Sequence, residues 1–154
     1  MWRSAIELRA LHAGHRQAVA LHLLALSADD RIARFGLALK DVAILRWAER
    51  VDWATQRWWG AWLPDDMGLA ATLQLAPGGR PGVWELALSV APPLRRAGVG
   101  SALVAAALAA TPALRALVCY HGHPAMRAIA RRLGCPVRAQ RQPPRLMLWP
   151  RPLD

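Results

Sequence analysis

The sequence predicts an α/β fold in a single domain spanning residues 1–154, because three of its features agree. The chain has 154 residues, which suffices for one sizeable core and is short for two ordinary domains. Apolar residues make up 55% of the chain, and they fall into short runs of strand-like or helix-like periodicity. One strand-like run leads through a glycine-containing turn directly into an alanine-rich helical segment, over residues 83–110.

The predicted elements follow the order β-α-α-β-β-β-α-β-α-β-β. Helices are predicted where apolar residues recur at spacings of three and four, and strands where short apolar or alternating runs end at turn residues. The predicted strands cover residues 6–11, 57–63, 69–75, 83–90, 114–120, 137–139 and 145–149. The predicted helices cover residues 13–26, 39–51, 98–110 and 124–133, with a short helical turn over 27–34.

Periodicity and turn residues justify the elements of the first half. The first helix is predicted because apolar residues recur at helical spacing, and Ser27 begins the following helical turn as part of a capping-box variant. In the helix over 39–51, the residues expected to face inward are Val42, Leu45, Trp47 and Ala48. The next two strands are predicted to form a hairpin, because Pro64-Asp-Asp-Met-Gly68 has the composition of a turn. Alternation in the first of these strands puts Trp59 on one face and Trp58 and Trp62 on the other. One of the two faces is expected to form a wall of a pocket.

Alternation and proline justify the elements of the second half. The strand over 83–90 places two sets of side chains on opposite faces: Trp84, Leu86, Leu88 and Val90 on one, and Glu85, Ala87 and Ser89 on the other. The helix that follows ends at Thr111-Pro112, because proline disfavours helical geometry in the residue before it.

The chain is strongly basic, but its basic residues are not clustered in one segment. Twenty lysines and arginines oppose ten acidic residues, and all of the twenty except Lys40 are arginine. The arginines are scattered, and tyrosine and phenylalanine occur once each, which favours a solvated basic surface over nucleic-acid binding.

The sequence also favours a cytoplasmic protein. Its apolar runs reach only about ten residues, which is less than a membrane span. The first residues lack the apolar stretch and cleavage site of a secretory signal. Two cysteines, Cys119 and Cys135, are too few for a disulfide framework and suit a reducing compartment.

The most informative segment is the turn within Leu88–Gly100, where the strand ends and the next helix begins. A strand that enters a helix through such a turn leaves several backbone N–H groups unpaired, at the positive end of the helix dipole. Gly98 and Gly100 carry no Cβ, so the oxygens of a ligand can approach the main chain closely. Arg95 and Arg96 add positive charge at the same place. The turn is therefore predicted to hold a phosphate or a diphosphate.

The spacing within this turn narrows the choice among known phosphate-binding motifs. It excludes a P-loop, and Leu103 stands where a Rossmann turn has its third glycine. The segment resembles motif A of the GNAT superfamily of acyl-CoA-dependent N-acetyltransferases, commonly written Val-x-Pro-x-x-Arg/Gln-x-x-Gly-x-Gly/Ala. The matching residues are Val90, Pro92, Arg95, Gly98 and Gly100. The predicted element order is that of the GNAT fold, and residues 26–35 and 123–135 resemble further GNAT segments.

The resemblance implies a fold and a set of acetyl-CoA contacts. The fold is a central mixed, mostly antiparallel sheet of about six to seven strands, flanked by about four helices. The backbone of Leu88 and Val90 would bind the pantetheine arm, and His123, at an Asn-like family position, would donate a hydrogen bond to the cofactor. The residues implied at the pyrophosphate are Arg95, Arg96, Gly98, Gly100 and Ser101. Ser101 is equally well explained as a plain serine at a helix N-terminus.

Two residues are candidates for the chemistry of acetyl transfer. Many GNAT members carry a glutamate as general base where this chain has Glu85; the alternative is a strand-end carboxylate paired with an arginine. The family's tyrosine acid lies seven residues after the Asn-like position, which here is Ala130. Tyr120 is a substitute acid or simply a tyrosine packed at a strand end. A thiolate leaving group with a pKa of about 8.5 does not require a dedicated acid.

The remaining candidates have simpler explanations. His121-Gly-His123 has no further ligands to complete a zinc site, so no metal is expected. Arg131 and Arg132 are either contacts of the 3′-phosphate of the coenzyme or a solvated pair. Three further histidines are expected at the surface near the first helix: His12, His15 and His22.

Together these observations predict an enzyme that uses acetyl-CoA to acetylate a primary amine. Its expected partners are acetyl-CoA and an amine acceptor that the sequence does not identify, with a homodimer left open. A non-catalytic GNAT-like domain that senses acyl-CoA or binds a protein partner is the alternative, motivated by the missing tyrosine. A basic nucleic-acid-binding module is a third hypothesis.

Overall fold

The computed structural model describes residues 5–120, 124–141 and 144–150. Its strands are β1 Glu7–Leu11, β2 Arg57–Trp62, β3 Leu69–Pro77, β4 Val83–Val90, β5 Ala116–Tyr120, β6 Val137–Arg141 and β7 Pro144–Leu148. Its α-helices are α1 Arg16–Leu24, α2 Ala28–Phe35, α3 Asp41–Glu49, α4 Val99–Ala110 and α5 Pro124–Arg132. Short 3₁₀ helices cover Ala13–His15, Pro64–Asp66 and Pro92–Leu94.

The strands form one seven-stranded sheet in the order β1-β2-β3-β4-β5-β7-β6. Every neighbouring pair is antiparallel except β4 and β5, which are parallel. The prediction of a mixed, mostly antiparallel sheet of six to seven strands is therefore confirmed.

The helical turn predicted after Ser27 is a full helix, α2, so the sheet is flanked by five described α-helices rather than about four. The Ser27 side chain accepts a hydrogen bond from the Asp30 backbone N–H at 3.1 Å, which caps the start of α2. Gly36 closes its end with a φ of 86°, in the left-handed region that glycine adopts without steric cost.

The core has two parts, one on each face of the sheet. One cluster joins β3, β4, β5 and β7 to α4 and α5, and it contains Trp59. The other cluster joins α1 and α3 to β1 and β2, and it contains Trp58. The predicted alternation in β2 is thus confirmed. In α3 the expected inward face is wrong in part: Ala48 is buried and Trp47 packs against the second cluster as expected, but Val42 and Leu45 are exposed and Ile44 is buried instead.

The sheet opens between its two parallel strands. β4 and β5 pair only at Val83–Ala116, Trp84–Leu117 and Glu85–Val118. β4 then continues to Val90 and β5 to Tyr120 without further pairing between their described residues. This divergence positions the candidate site, because it exposes one edge of β4 inside the sheet.

The helices of the described ranges are short. None of them is long and apolar enough to cross a membrane.

Candidate active site

Two adjoining cavities lie where β4 leaves β5, and Leu88 and Ala33 line both of them. The larger, with a volume of about 480 Å³, opens beside the turn between β4 and α4 and is called the turn cavity. The smaller, with a volume of about 280 Å³, lies between the diverging strands and is called the strand cavity.

The turn from β4 to α4 uses two left-handed residues. Arg96 has a φ of 61° and Gly98 a φ of 85°, and α4 begins directly afterwards at Val99. Gly98 adopts this conformation without the steric cost of a Cβ. Within the described part of the chain, the backbone N–H groups of residues 96–101 donate to no backbone carbonyl. Five of these six residues line the turn cavity, so the first turn of α4 presents donors to its interior.

The Ser101 side chain adds a hydroxyl donor to the backbone donors of the same cavity. Its hydroxyl is buried and has no hydrogen-bond partner among the described residues. A buried hydroxyl without a partner costs about 1–3 kcal/mol. Since Ser101 lines the turn cavity, a ligand oxygen there would remove this cost.

The two positions of the motif require glycine for different structural reasons. Gly98 is required by its positive φ. At Gly100 a Cβ would lie 3.1 Å from Ile129 Cδ1 and 3.2 Å from Leu88 Cδ2. The absence of a side chain at position 100 therefore also lets α4 pack closely against β4 and α5, a packing role that the sequence did not indicate.

Arg95 is already engaged within the protein. Its Nη2 atom lies 2.7 Å from Asp30 Oδ2 of α2, and its Nε donates to the Val90 carbonyl at 3.0 Å. Arg95 thereby joins the turn to α2 while it lines the turn cavity. Arg96 and Arg132 are exposed and also line this cavity, whereas Arg131 lines neither cavity.

One face of α5 forms the opposite wall of the turn cavity. It contributes Ala125, Ala128, Ile129 and Arg132, at the spacing of one helical face. The two alanines leave room along this wall, because their side chains end at Cβ. An elongated ligand could thus lie between α5 and the end of β4.

The backbone of β4 faces the gap at alternate residues. Ala91 N–H donates to the Ala70 carbonyl at 2.8 Å, so odd-numbered residues direct their backbone groups towards β3. Leu88 and Val90, at even positions, therefore direct theirs towards the side from which β5 has diverged. This is the orientation that a pantetheine contact would need.

Glu85 and Tyr120 line the same strand cavity from the two sides of the gap. Glu85 is the last residue of β4 to pair with β5, opposite Val118, and it is half-buried. The ion pairs of the described residues do not include Glu85, so they do not favour the alternative of a carboxylate paired with an arginine. Tyr120 ends β5 and is half-buried.

Two positions of the family pattern, 130 and 123, contribute no described side chain to either cavity. Ala130, where the family would have its tyrosine, is only 1% exposed and packs in the core without lining either cavity. His123, the predicted cofactor donor, lies outside the described residues, as does His121. The described residues contain no group of three or more His, Cys, Asp or Glu side chains placed to hold a metal ion.

A buried polar network below the turn cavity was not predicted. His22 Nδ1 lies 3.2 Å from the Leu69 carbonyl, and His22 Nε2 lies 2.7 Å from Ser89 Oγ, which is 3.1 Å from Thr72 Oγ1. Since a carbonyl only accepts, Nδ1 carries the proton, Nε2 accepts from Ser89, and Ser89 accepts from Thr72.

The expected surface position of His22 is wrong, because the residue is 6% exposed and faces the sheet. Burial lowers the pKa of His22 to about 4, so its ring is neutral at pH 7.

A second polar group extends into the strand cavity from α2. Arg34 is 9% exposed, and its Nη2 donates to Gln74 Oε1 at 2.7 Å. Gln74 Nε2 in turn donates to Gln56 Oε1 at 2.7 Å. The tryptophan that lines this cavity is Trp47 of α3, rather than one from β2 as expected. In the sequence nothing distinguishes Arg34 from the other arginines, since its partners come from distant segments.

Comparisons with known proteins agree with the architecture. The family model described as Acetyltransferase (GNAT) family matches residues 19–135. The GNAT domain of S. lividans PAT is 17% identical, with a TM-score of 0.70 over 93% of this chain and 88% of that one. A spermidine N-acetyltransferase from Vibrio cholerae, in complex with CoA and spermine, is 14% identical, with a TM-score of 0.67 over 95% and 96% of the two chains.

A GNAT-family acetyltransferase from Staphylococcus aureus Mu50 is 10% identical, with a TM-score of 0.68 over 96% of this chain and all of that one. At these identities the likeness establishes the fold alone. No curated protein sequence matches the chain significantly. The family match covers most of the sequence, and with the sheet topology it shows that this chain belongs to the GNAT acetyltransferase family.

Proposed function

We propose that the protein is an acetyl-CoA-dependent N-acetyltransferase, with residues 1–154 acting as one domain, that moves an acetyl group directly to a primary amine. The observation that carries the proposal is the turn cavity, where unpaired backbone N–H groups and the buried Ser101 hydroxyl meet exposed arginines. A diphosphate supplies the acceptors and the negative charge that such a site lacks.

The residues present fit the coenzyme along its length. The first turn of α4 and Ser101 would hold the pyrophosphate, and Arg96 and Arg132 would add positive charge. The gap-facing backbone of Leu88 and Val90 would hold the pantetheine arm. Since the Val90 carbonyl already accepts from Arg95, this residue retains less capacity for the ligand. His123 stays a proposed contact from the family pattern alone.

The strand cavity would receive the amine. Glu85 accepts the proton that the amine loses as its nitrogen bonds to the thioester carbonyl carbon, and the C–S bond breaks to release the CoA thiol. Tyr120, which lines the cavity from the other side of the gap, would protonate the departing thiolate. Cys119 also lines this cavity, but burial raises its pKa to about 12, which keeps it a thiol and favours direct transfer over an acyl-cysteine.

Binding of acetyl-CoA tests the cofactor assignment through Gly98→Ala. A Cβ at a φ of 85° strains the turn that aims the N–H groups, so the Kd measured by calorimetry should rise about tenfold, equivalent to about 1.4 kcal/mol. Gly79→Ala is the matched control, because Gly79 has a φ of 84°, has open space around it and lines neither cavity. Equal binding by both variants, or no binding by the wild type, would contradict the assignment.

A non-catalytic acyl-CoA-sensing or partner-binding domain is the second candidate, since Ala130 supplies no acid from α5. Thiol release measured with a panel of amines separates the two. Acetyl-CoA binding without thiol release from any amine would favour the non-catalytic domain.

A further inference from the structure

We propose that the acceptor amine carries a carboxylate, and that Arg34 binds this carboxylate inside the strand cavity. The inference rests on the proposed function and specifies its substrate class. The acceptor would be a small amino acid, with its amine directed to Glu85 and its acid directed to Arg34.

The first argument is the unmatched charge of Arg34. The ion pairs of the described residues join Arg9 to Glu7, Arg31 to Asp41 and Arg95 to Asp30, so none of them includes Arg34. Burial lowers the pKa of Arg34 to about 10, which still leaves the guanidinium charged at pH 7. A buried cation without an anion is destabilising, and proteins rarely retain one without a partner.

The second argument is a donor left without an acceptor. The Nε atom of Arg34 is buried and has no hydrogen-bond partner in the described structure. A guanidinium has five N–H donors in a planar fork that matches the two oxygens of a carboxylate. Because Arg34 lines the strand cavity, an anion bound there could satisfy donors that the protein leaves unsatisfied.

The third argument is that the guanidinium is held in place before a ligand arrives. Gln74 accepts from Nη2 at 2.7 Å and is itself fixed by Gln56. The guanidinium carbon lies 4.8 Å from the ring centre of Phe35 and 5.0 Å from that of Trp47. These aromatic contacts offset part of the cost of burial and restrict the plane of the fork. A preorganised cation binds an anion with less loss of entropy.

The charge and size of the cavity favour an amino acid over a polyamine. Among the described residues that line this cavity of about 280 Å³, the charged groups are the carboxylate of Glu85 and the guanidinium of Arg34. A zwitterion matches both charges, whereas a polyamine of the spermine kind would bring further cations to Arg34. The volume lies near the lower limit of small-molecule pockets, which suits a compact acceptor.

Matched pairs of acceptors test the inference with acetyl-CoA as donor. The probes are β-alanine and β-alaninamide, 4-aminobutyrate and 4-aminobutyramide, and phenylalanine and phenylalaninamide, with spermidine as the polycation. The variants are Arg34→Gln and Arg34→Lys, and Arg46→Gln is the control because Arg46 is exposed on α3 and lines neither cavity. Thiol release gives kcat/KM for each probe.

The wild type and Arg46→Gln should prefer at least one acid over its amide by about tenfold or more. Arg34→Gln should lower kcat/KM for that acid by about ten- to a hundredfold, the range expected for lost hydrogen bonds to a charged group. The rate with the amide should change by less than about threefold, so that the acid-to-amide ratio approaches one. Arg34→Lys retains the charge without the fork and should give an intermediate ratio.

Three outcomes would overturn the inference. They are equal or better use of the amides or spermidine by the wild type, an equal loss for acid and amide in Arg34→Gln, and acetyl-CoA binding without transfer to any acid. If Arg34→Gln does not fold, Arg34→Lys and the preference of the wild type decide the same question. Failure of the proposed function is distinct, because the wild type would then either not bind acetyl-CoA or release no thiol with any amine, the amides and spermidine included.

Discussion

The turn cavity and the strand cavity adjoin at Leu88, yet they are built from different groups. The turn cavity is lined by backbone donors, small residues and exposed arginines, and most of its lining residues belong to the contiguous segment 88–101. The strand cavity is lined by a glutamate, a buried arginine and two glutamines, which four separate segments bring together. The first arrangement would suit a ligand common to a family, and the second can vary among proteins that share the fold.

The difference also concerns how the two regions respond to solution conditions. Exposed charges are screened by salt, so binding in the turn cavity should depend on ionic strength. Buried polar groups are screened much less, and they respond to pH through their pKa values. The next three predictions test this contrast, beginning with the largest effect.

Glu85→Gln should separate chemistry from cofactor binding. Because the amide cannot accept the amine's proton, kcat should fall by about a hundredfold or more, while the calorimetric Kd for acetyl-CoA should stay within about twofold. Glu49→Gln, at an exposed position at the end of α3, is the control and should retain full activity. An unchanged rate and pH profile in Glu85→Gln would remove Glu85 as the base.

His22→Gln should reduce the pH dependence of stability. Burial lowers the pKa of His22 from its ordinary value of 6.5 to about 4 in the folded state, so the unfolded chain binds more protons between these values. The free energy of unfolding should therefore fall as the pH is lowered through this window, by about 2 kcal/mol between pH 7 and pH 5 from His22 alone.

Urea unfolding at both pH values measures this effect. His22→Gln should lose that part of the pH dependence, whereas His12→Gln, at an exposed position, should keep it. The same pH dependence in His22→Gln as in the wild type would contradict the buried neutral imidazole.

Arg132→Gln should have the smallest effect, on acetyl-CoA affinity. Arg132 is exposed, so the loss of its charge near a phosphate should raise the Kd about two- to fivefold at low salt, and less at high salt. Arg131→Gln is the matched control, because the neighbouring residue lines neither cavity. Equal effects of the two substitutions would mean that only the general basic charge of α5 matters.

The sequence allowed the fold and the turn cavity to be predicted because their signals are local. The spacing from Val90 to Gly100 defines the turn, and the alternation in β4 places Leu88 in the core and Glu85 on the opposite face. The bounds of α2 were predicted to within one residue at each end, because the cap at Ser27 is also a local signal.

The buried polar groups of the strand cavity, and those below the turn cavity, could not be predicted to the same extent. His22 and Ser89 are 67 positions apart, and Arg34 and Gln74 are 40 apart. A histidine in α1 and an arginine in α2 have no local feature that reveals burial, because their partners lie on strands that pack beneath them only in the folded chain. The apolar α3 misled for a related reason, since its exposed Val42 and Leu45 resemble core residues in the sequence.

The short pairing between β4 and β5 has a mechanical consequence. Three residue pairs are the only described ladder contacts that connect the β1–β4 half of the sheet to the β5–β7–β6 half. A ligand that lies along the end of β4 and contacts α5 would bridge the gap between β4 and β5 and add contacts between the two halves of the sheet. Occupancy by the coenzyme would then stiffen the wall on which the acceptor rests, so that the order of substrate binding would follow from the architecture of the sheet itself.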